Sequence, residues 1–408
     1  MILRCLKSSK GTVKYALPFV LGAIVLTQSA CVTITRDRGE IENFLLSQQP
    51  ELALAKHESQ KPADRNKSLY LLDEAMLLRM LNRYEDSNRA FEKAKALTQK
   101  LDAISLREQA VAVSINDSQR SYLPRVFEQV LVHCFQAINY LQMQQYDEAR
   151  VEILQLDELL KQEDKIQMPF ARYLSGLVFE FNRELDNALI SYRKAYQAYG
   201  SSGSEIPLML KEDLLRLTDY LGLSEEHKQF LDKFALSTWP TQREINEQAR
   251  AIAFVFNGLM PRKHSFEINV QSPTDGQLHR ISTPFYEQRA VKVYRAELSA
   301  ESSSTNSELI AQLDNQARAA LKNEMPAIIA RTIARVSIKS RVVDKTRKDT
   351  PLLSLALNIA TFLSEQADTR AWNTLPQQIL IMRLNLPAGS HDLTLKLSGS
   401  SLPGTMQS

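Results

Sequence analysis

Glycine is scarce in this chain, 12 in 408 residues, while Leu, Ala, Glu, Gln, Lys and Arg are abundant. That balance makes helix the expected main element. Long apolar runs are missing too. The longest, Tyr15 to Leu26, is about a dozen residues and falls short of the roughly 20 that a spanning helix needs. Catalytic signatures are equally thin: the sequence contains no HExxH, GxSxG, P-loop or CxxC. The six histidines (57, 133, 227, 264, 279 and 391) include no pair at the i, i+4 spacing of a helical zinc site. One SxxK match, Ser191-Tyr192-Arg193-Lys194, lies in a helical stretch without a companion KTG. No metal, cofactor or catalytic residue is expected.

The N-terminus is where the sequence is most specific. Arg4, Lys7, Lys10 and Lys14 precede the apolar run, and Ser29-Ala30 abut Cys31. This is a basic n-region, an h-region and a small-residue cleavage site. Residues 1–30 therefore read as a lipoprotein signal peptide, with Cys31 as the lipid-bearing first residue of the mature chain. Val32, rather than Asp, follows the cysteine. By resemblance to Gram-negative lipoproteins this implies sorting to the outer membrane, facing the periplasm. Removing the leader takes four basic residues and leaves 46 Lys and Arg against 47 Asp and Glu, a charge of −1. The basic balance of the precursor thus says nothing about nucleic acid, which is not an expected partner. Cys5 is lost and Cys31 is committed, so Cys134 remains alone and an internal disulfide is excluded. Its setting, Val130-Leu131-Val132-His133-Cys134-Phe135, is that of a buried small hydrophobe. Residues 31–39 read as a short tether reaching at most about 35 Å to the first helical pattern near Glu40.

From 40 to 250 the pattern is helical nearly throughout, with short polar breaks that make neighbouring helices antiparallel. Arg83-Tyr84-Glu85-Asp86-Ser87, Gln145-Tyr146-Asp147-Glu148-Ala149 and Glu184-Leu185-Asp186-Asn187-Ala188 share one pattern. Each is followed by a large residue (Phe91, Ile153, Tyr192) and then by Ala94, Leu156 or Ala195. Each is preceded by a small one, Ala75, Ala137 or Gly176. This resembles the tetratricopeptide helix-turn-helix repeat, with irregular spacing; the alternative is a generic helical bundle. After Arg250 the period changes to two. Ala251–Phe256, His264–Val270 (Phe266, Ile268 and Val270 on one face), Ala290–Leu298, Gln378–Leu386 and Asp392–Leu397 carry most of about six short strands. Pro387-Ala388-Gly389-Ser390 reads as the turn of a hairpin. Glu301–Asn306 reads as a loop leading into a two-helix insert over 306–345 and 351–366. The fold expected is mainly α, an N-terminal tetratricopeptide-like solenoid (40–250) followed by a smaller α+β domain (251–400).

Two clusters stand out as partner-binding candidates. Arg331, Arg335 and Lys339 share a helical face within a basic run that continues through Arg341, Lys345, Arg347 and Lys348. They suit anionic head groups or an acidic partner; the plain reading is a solvated face. Asp368, Arg370 and Trp372 put an acid and a base beside an indole, read either as a binding site or as a structural ion pair with a core indole. Leu352–Leu363 is apolar enough for a buried helix or a contact surface.

Asn116–Tyr122, Gln145–Ala149, Phe256–Leu259, Met325–Arg331, Ala367–Trp372 and Leu386–Gly389 occur in this order, and with them the chain resembles an uncharacterised family of Gram-negative, tetratricopeptide-like outer-membrane lipoproteins. The resemblance implies architecture and location, and no activity. The expected function is a non-enzymatic, lipid-anchored periplasmic scaffold binding a protein or peptide of the cell envelope through its repeats. A sharper variant is a regulator of a peptidoglycan synthase or another envelope machine. The rival class is a hydrolase or transferase using unpaired acids such as Asp275 or Asp368.

Overall fold

A computed structural model describes residues 38–108, 119–162, 167–271, 278–290, 295–301, 303–349 and 366–399. The leader, Cys31, Asp275 and the apolar segment Leu352–Leu363 lie outside the described residues. Helix α1 (38–46) is followed by α2 (Pro50–Glu58), α3 (Lys67–Met80), α4 (Tyr84–Glu108), α5 (Val126–Gln142), α6 (Tyr146–Gln162), α7 (Pro169–Phe181), α8 (Leu185–Ser202), α9 (Leu208–Tyr220), α10 (Ser224–Phe234) and α11 (Gln242–Glu247).

One turn is used five times. Gln48, Asn82, Gln144, Arg183 and Gly222 all take left-handed backbone with φ of 58, 58, 58, 61 and 71°. At each, the amide of the next residue reaches back five positions: Gln49 to Phe44, Arg83 to Leu78, Gln145 to Tyr140, Glu184 to Phe179 and Leu223 to Thr218, at 2.9–3.0 Å. This closes the first helix of every pair by the same hydrogen bond and sends the second helix back along it. The predicted repeat residues do the packing. Ala75, Ala137, Phe91, Ile153 and Tyr192 are fully buried. A Cβ on Gly176 would stand 2.2 Å from the Tyr192 ring, so the second helix of that pair fits only against a glycine.

The strands are β1 (Ala249–Asn257), β2 (Lys263–Gln271), β3 (Leu278–Tyr286), β4 (Arg295–Ala300), β5 (Ser303–Asn306), β6 (Glu308–Gln312), β7 (Gln378–Leu386) and β8 (Thr394–Ser398), with the long helix α12 (Leu313–Asp349) between β6 and β7. They form antiparallel sheets in the orders β1-β7-β6, β2-β3 and β5-β4-β8. Three expectations change. Residues 303–306 are a strand rather than a loop, and 308–312 are a strand rather than the start of a helix, because they pair with β4 and β7. The strands flanking Pro387–Ser390 are not a hairpin: both edges of β7 are taken by β1 and β6, so the chain crosses to pair β8 with β4. The apolar face of β2 is turned to solvent, with Phe266 56% and Ile268 48% exposed.

The sheet β1-β7-β6 is the middle of three layers. Ile252, Phe254 and Phe256 of β1, with Ile379 and Ile381 of β7, join the helical core. Ala251, Ala253, Val255, Leu380, Met382 and Leu384 face β4 and β8 on the other side. Burial on both faces is why β1 reads as a continuous apolar run rather than an alternating one. Phe135 of α5 meets Phe256 at 5.7 Å, and Phe170 of α7 meets Phe254 at 6.3 Å. One hydrophobic core therefore runs through both halves of the chain.

Candidate functional site

The face of the helical array that a repeat protein leaves open is occupied here by the chain itself. The first helices of the pairs, α3, α5, α7 and α9, carry the contacts. Arg79 of α3 lies 5.0 Å from the Phe256 ring. Arg250 of β1 donates to Glu180 at 2.7 Å. Arg383 of β7 donates to Asp213 of α9 at 2.6 Å and to Glu212 at 2.7 Å. Asp213 also accepts from Arg216 at 2.9 Å and from the Tyr173 hydroxyl at 3.1 Å. Burial would push the Asp213 carboxyl up; the guanidiniums of Arg383 and Arg216 outweigh it and hold the group ionised well below the usual carboxylate range. A partner cannot use this face without displacing the sheet.

The second expected cluster lies where the array meets β2 and β3. Asp368 is engaged through both oxygens by Arg370, at 2.8 Å from each. The Arg370 guanidinium continues to the carbonyls of Arg120 at 2.9 Å and Arg65 at 3.3 Å and to Asn66 at 3.1 Å, and lies 5.6 Å from the Tyr122 ring. Burial opposes the Asp368 charge, and the hydrogen bonds and charge of Arg370 overcome it, leaving its carboxyl below its usual range. Trp372 is 1% exposed, edge-on to Phe91 at 6.1 Å and to Phe135 at 6.3 Å. The acid and the base are thus a clamp between 366–372 and the helical array, and the indole is core. Hydrolase or transferase chemistry on Asp368 meets a carboxylate with both oxygens committed.

Sequence reasoning missed the neighbours of this clamp. The Tyr122 hydroxyl donates to Glu128 at 2.7 Å, Arg125 binds Glu324 of α12 at 2.7 Å, and Lys263 donates to the Arg370 carbonyl at 3.3 Å. A cavity of about 470 Å³ opens beside Tyr122, Arg125, Glu324 and Asp368. Burial, and next the positive charge of Arg125, bring the Lys263 amine down to about 8. No motif flags Lys263, because its burial depends on segments far away in the sequence meeting its hairpin.

The other candidates do not converge on either place. Arg335 on α12 is 3% exposed and donates to Thr332 at 3.1 Å, and Arg331 is half-buried. Lys339 lies on the same helix, beyond the side chains described. Ser191 donates to its own helix at Asn187, 3.0 Å, while Lys194 pairs with Asp157 at 3.1 Å, so the SxxK match forms no nucleophile–base pair. Cys134 is fully buried, and burial pushes its thiol far up, as a core hydrophobe requires. His133 binds Glu152 at 2.6 Å, a pair bridging α5 and α6 that the spacing of histidines alone does not reveal.

An open groove of about 1130 Å³ runs between residues 202–211, strands β5 and β6, and the first turns of α12. Leu208 and Leu309 on its rim are 44% and 39% exposed. Glu308 accepts from the Leu208 and Met209 amides at the start of α9, where the helix dipole favours an anion. Burial nevertheless pushes its carboxyl up. The Tyr199 hydroxyl donates to the Ile310 carbonyl at 2.7 Å, tying α8 to β6.

No family model matches this sequence, and no curated protein matches it. Among solved structures, MamA residues 41 to the end from Desulfovibrio magneticus RS-1 is 15% identical over 49% of this chain and 90% of its own, with a TM-score of 0.33. The apo form of RapI is 10% identical over 48% of this chain and 50% of its own, with a TM-score of 0.38. BtubC from P. vanneervenii is 14% identical over 54% of this chain and 82% of its own, with a TM-score of 0.31.

Proposed function

We propose that this protein is a lipid-anchored docking scaffold of the Gram-negative envelope, held to the outer membrane through Cys31 and binding a protein segment on its periplasmic side. The observation that carries the docking part is the open groove between α8–α9, β6 and α12. Its volume of about 1130 Å³ exceeds the roughly 300–1,000 Å³ of ordinary small-molecule sites. Its apolar rim and the adjoining β6 suit an extended peptide, which gains affinity from main-chain contacts and selectivity from alternate side chains. The helical array, with its inner face sealed by its own sheet, serves as a rigid frame for that groove rather than as the groove itself. The anchoring part rests on the leader sequence ending at Cys31. Regulation of a peptidoglycan synthase or another envelope machine is the sharper form of the same reading.

Site-specific photocrosslinking in intact envelopes tests it. A crosslinker at Lys211 or Asn315, on the groove wall, should capture one defined protein, and a crosslinker at exposed Arg89 of α4 should not. Identical products from all three positions would sink the groove. Separately, Cys31→Ala should move the protein from the membrane to the soluble periplasmic fraction.

A further inference from the structure

The hairpin β2–β3 is a two-stranded ribbon whose two faces have different fates. Register places Lys263–Tyr286, Ser265–Pro284 and Glu267–Ser282 on one face. That face is packed along β3 and at Lys263, while Ser265 and Glu267 of β2 stay exposed: Lys263, Ser282 and Tyr286 are buried, Arg318 of α12 donates to the Tyr286 carbonyl at 2.7 Å, and the Ala367 amide donates to Ser282 at 2.9 Å. The pairs on the other face are His264–Phe285, Phe266–Thr283 and Ile268–Ile281. Phe266, Ile268 and Phe285 there are 56%, 48% and 45% exposed. None of these six residues is acidic. Solvent-exposed antiparallel faces ordinarily carry polar side chains, so an aromatic and β-branched face turned outward marks a surface meant to be covered.

The chain's entry point indicates by what. Residue 38 is fixed at the base of this ribbon. Arg38 donates to Asp73 at 3.1 Å, and Glu42 accepts from Arg262, which immediately precedes β2, at 2.6 Å, and also from Arg289, just after β3. Seven peptide steps separate Arg38 from Cys31, a reach of at most about 25 Å, while a nine-residue strand is itself about 30 Å long. We propose that the apolar face of β2–β3, carrying Phe266, Ile268 and Phe285, lies in the surface of the lipid bilayer to which Cys31 is attached. The inference rests on lipid attachment at Cys31. The tether turns contact into an effectively intramolecular event, so a small patch suffices. Aromatic rings at the headgroup level are favoured partners of such an interface.

The experiment uses the full mature chain, acylated at Cys31 and carrying Phe266→Trp, with phosphatidylethanolamine–phosphatidylglycerol vesicles containing brominated acyl chains. The unsubstituted protein supplies the background from Trp239 and Trp372. Co-flotation with vesicles, together with a blue-shifted extra emission that bromine quenches, is the expected result. Co-flotation with an unshifted, unquenched extra emission overturns the ribbon contact and leaves the anchor standing. Failure to float overturns the anchor, and the ribbon contact with it. In a second arm, the Cys31→Ala chain should bind the same vesicles weakly, and Phe266→Ser with Ile268→Ser should lower that residual binding by about tenfold or more. Both positions are exposed, so the fold does not depend on them. Self-association in solution that this double substitution abolishes would assign the face to a second copy and overturn the proposal.

Discussion

At the scale of single residues, Gly176 lies against the Tyr192 ring across a helix pair, and Lys263 is buried with its amine on the Arg370 carbonyl. Gly176 and Tyr192 are separated by a fixed offset along two adjoining helices, so a linear pattern finds both, and the 2.2 Å approach explains why one is glycine. Lys263 has no such signature. It is buried by α12, by the 366–370 segment and by its own hairpin, and no local rule reports that. Its amine, lowered from 10.5 to about 8, leads to a prediction. In the unfolded chain Lys263 stays protonated up to about 10.5, whereas in the folded chain it releases its proton near 8. Between these values the unfolded state binds the extra proton, so folding stability rises with pH. Below 8 the folded protein carries the full cost of a buried charge. Relative to a Lys263→Met variant, the wild-type chain should therefore gain stability between pH 8 and 10.5, by on the order of 3 kcal/mol. Paired urea titrations at pH 7 and 10.5 measure it; a difference independent of pH would mean that the amine is not depressed.

At the scale of elements, the helices were readable because their stripes are local, and three of the five identical turns were readable because a large apolar residue opens the second helix. The other two begin at Pro50 and Ser224 and lack that landmark, although their backbone is the same. β5 and β6 escaped for the opposite reason: Ser303–Asn306 has no apolar alternation, and its strand identity comes entirely from pairing with β4. The recurring turn sets up an internal comparison. A left-handed residue other than glycine costs about 1–2 kcal/mol, with Asn penalised least. Gly222→Ala should therefore lower stability by about 1 kcal/mol. Gln144→Gly should raise it by a smaller amount, because glycine also loosens the unfolded chain. Asn82→Gly should gain least, since Asn82 tolerates the conformation and accepts from the Tyr84 hydroxyl at 2.8 Å. Urea midpoints of the three variants give the order, and a stabilising Gly222→Ala would refute the common geometry.

At the scale of the whole molecule, the sequence shows a change of period near residue 250, and the structure shows what the change conceals. The strands that begin there close the inner face of the helices that precede them. The ion network carries this closure: Arg383 on β7 and Arg250 on β1 reach Asp213 and Glu180 on α9 and α7, all nearly withdrawn from solvent. Breaking a buried pair by removing one partner costs more than the pair contributes, because the remaining charge is stranded. Arg383→Met keeps much of the side-chain length, leaves Asp213 with Arg216 and the Tyr173 hydroxyl, and should lower stability by about 3–5 kcal/mol. Because the core is continuous, that loss must appear in both halves at once. Far-ultraviolet dichroism reports the helices, and Trp372 emission, read in a Trp239→Phe background, reports their junction with the strand half. The two signals should shift together to one lower midpoint. A variant in which the junction signal falls first, with the helical signal unchanged, would show that the helical array stands without its sheet, and its inner face would then become available to a partner.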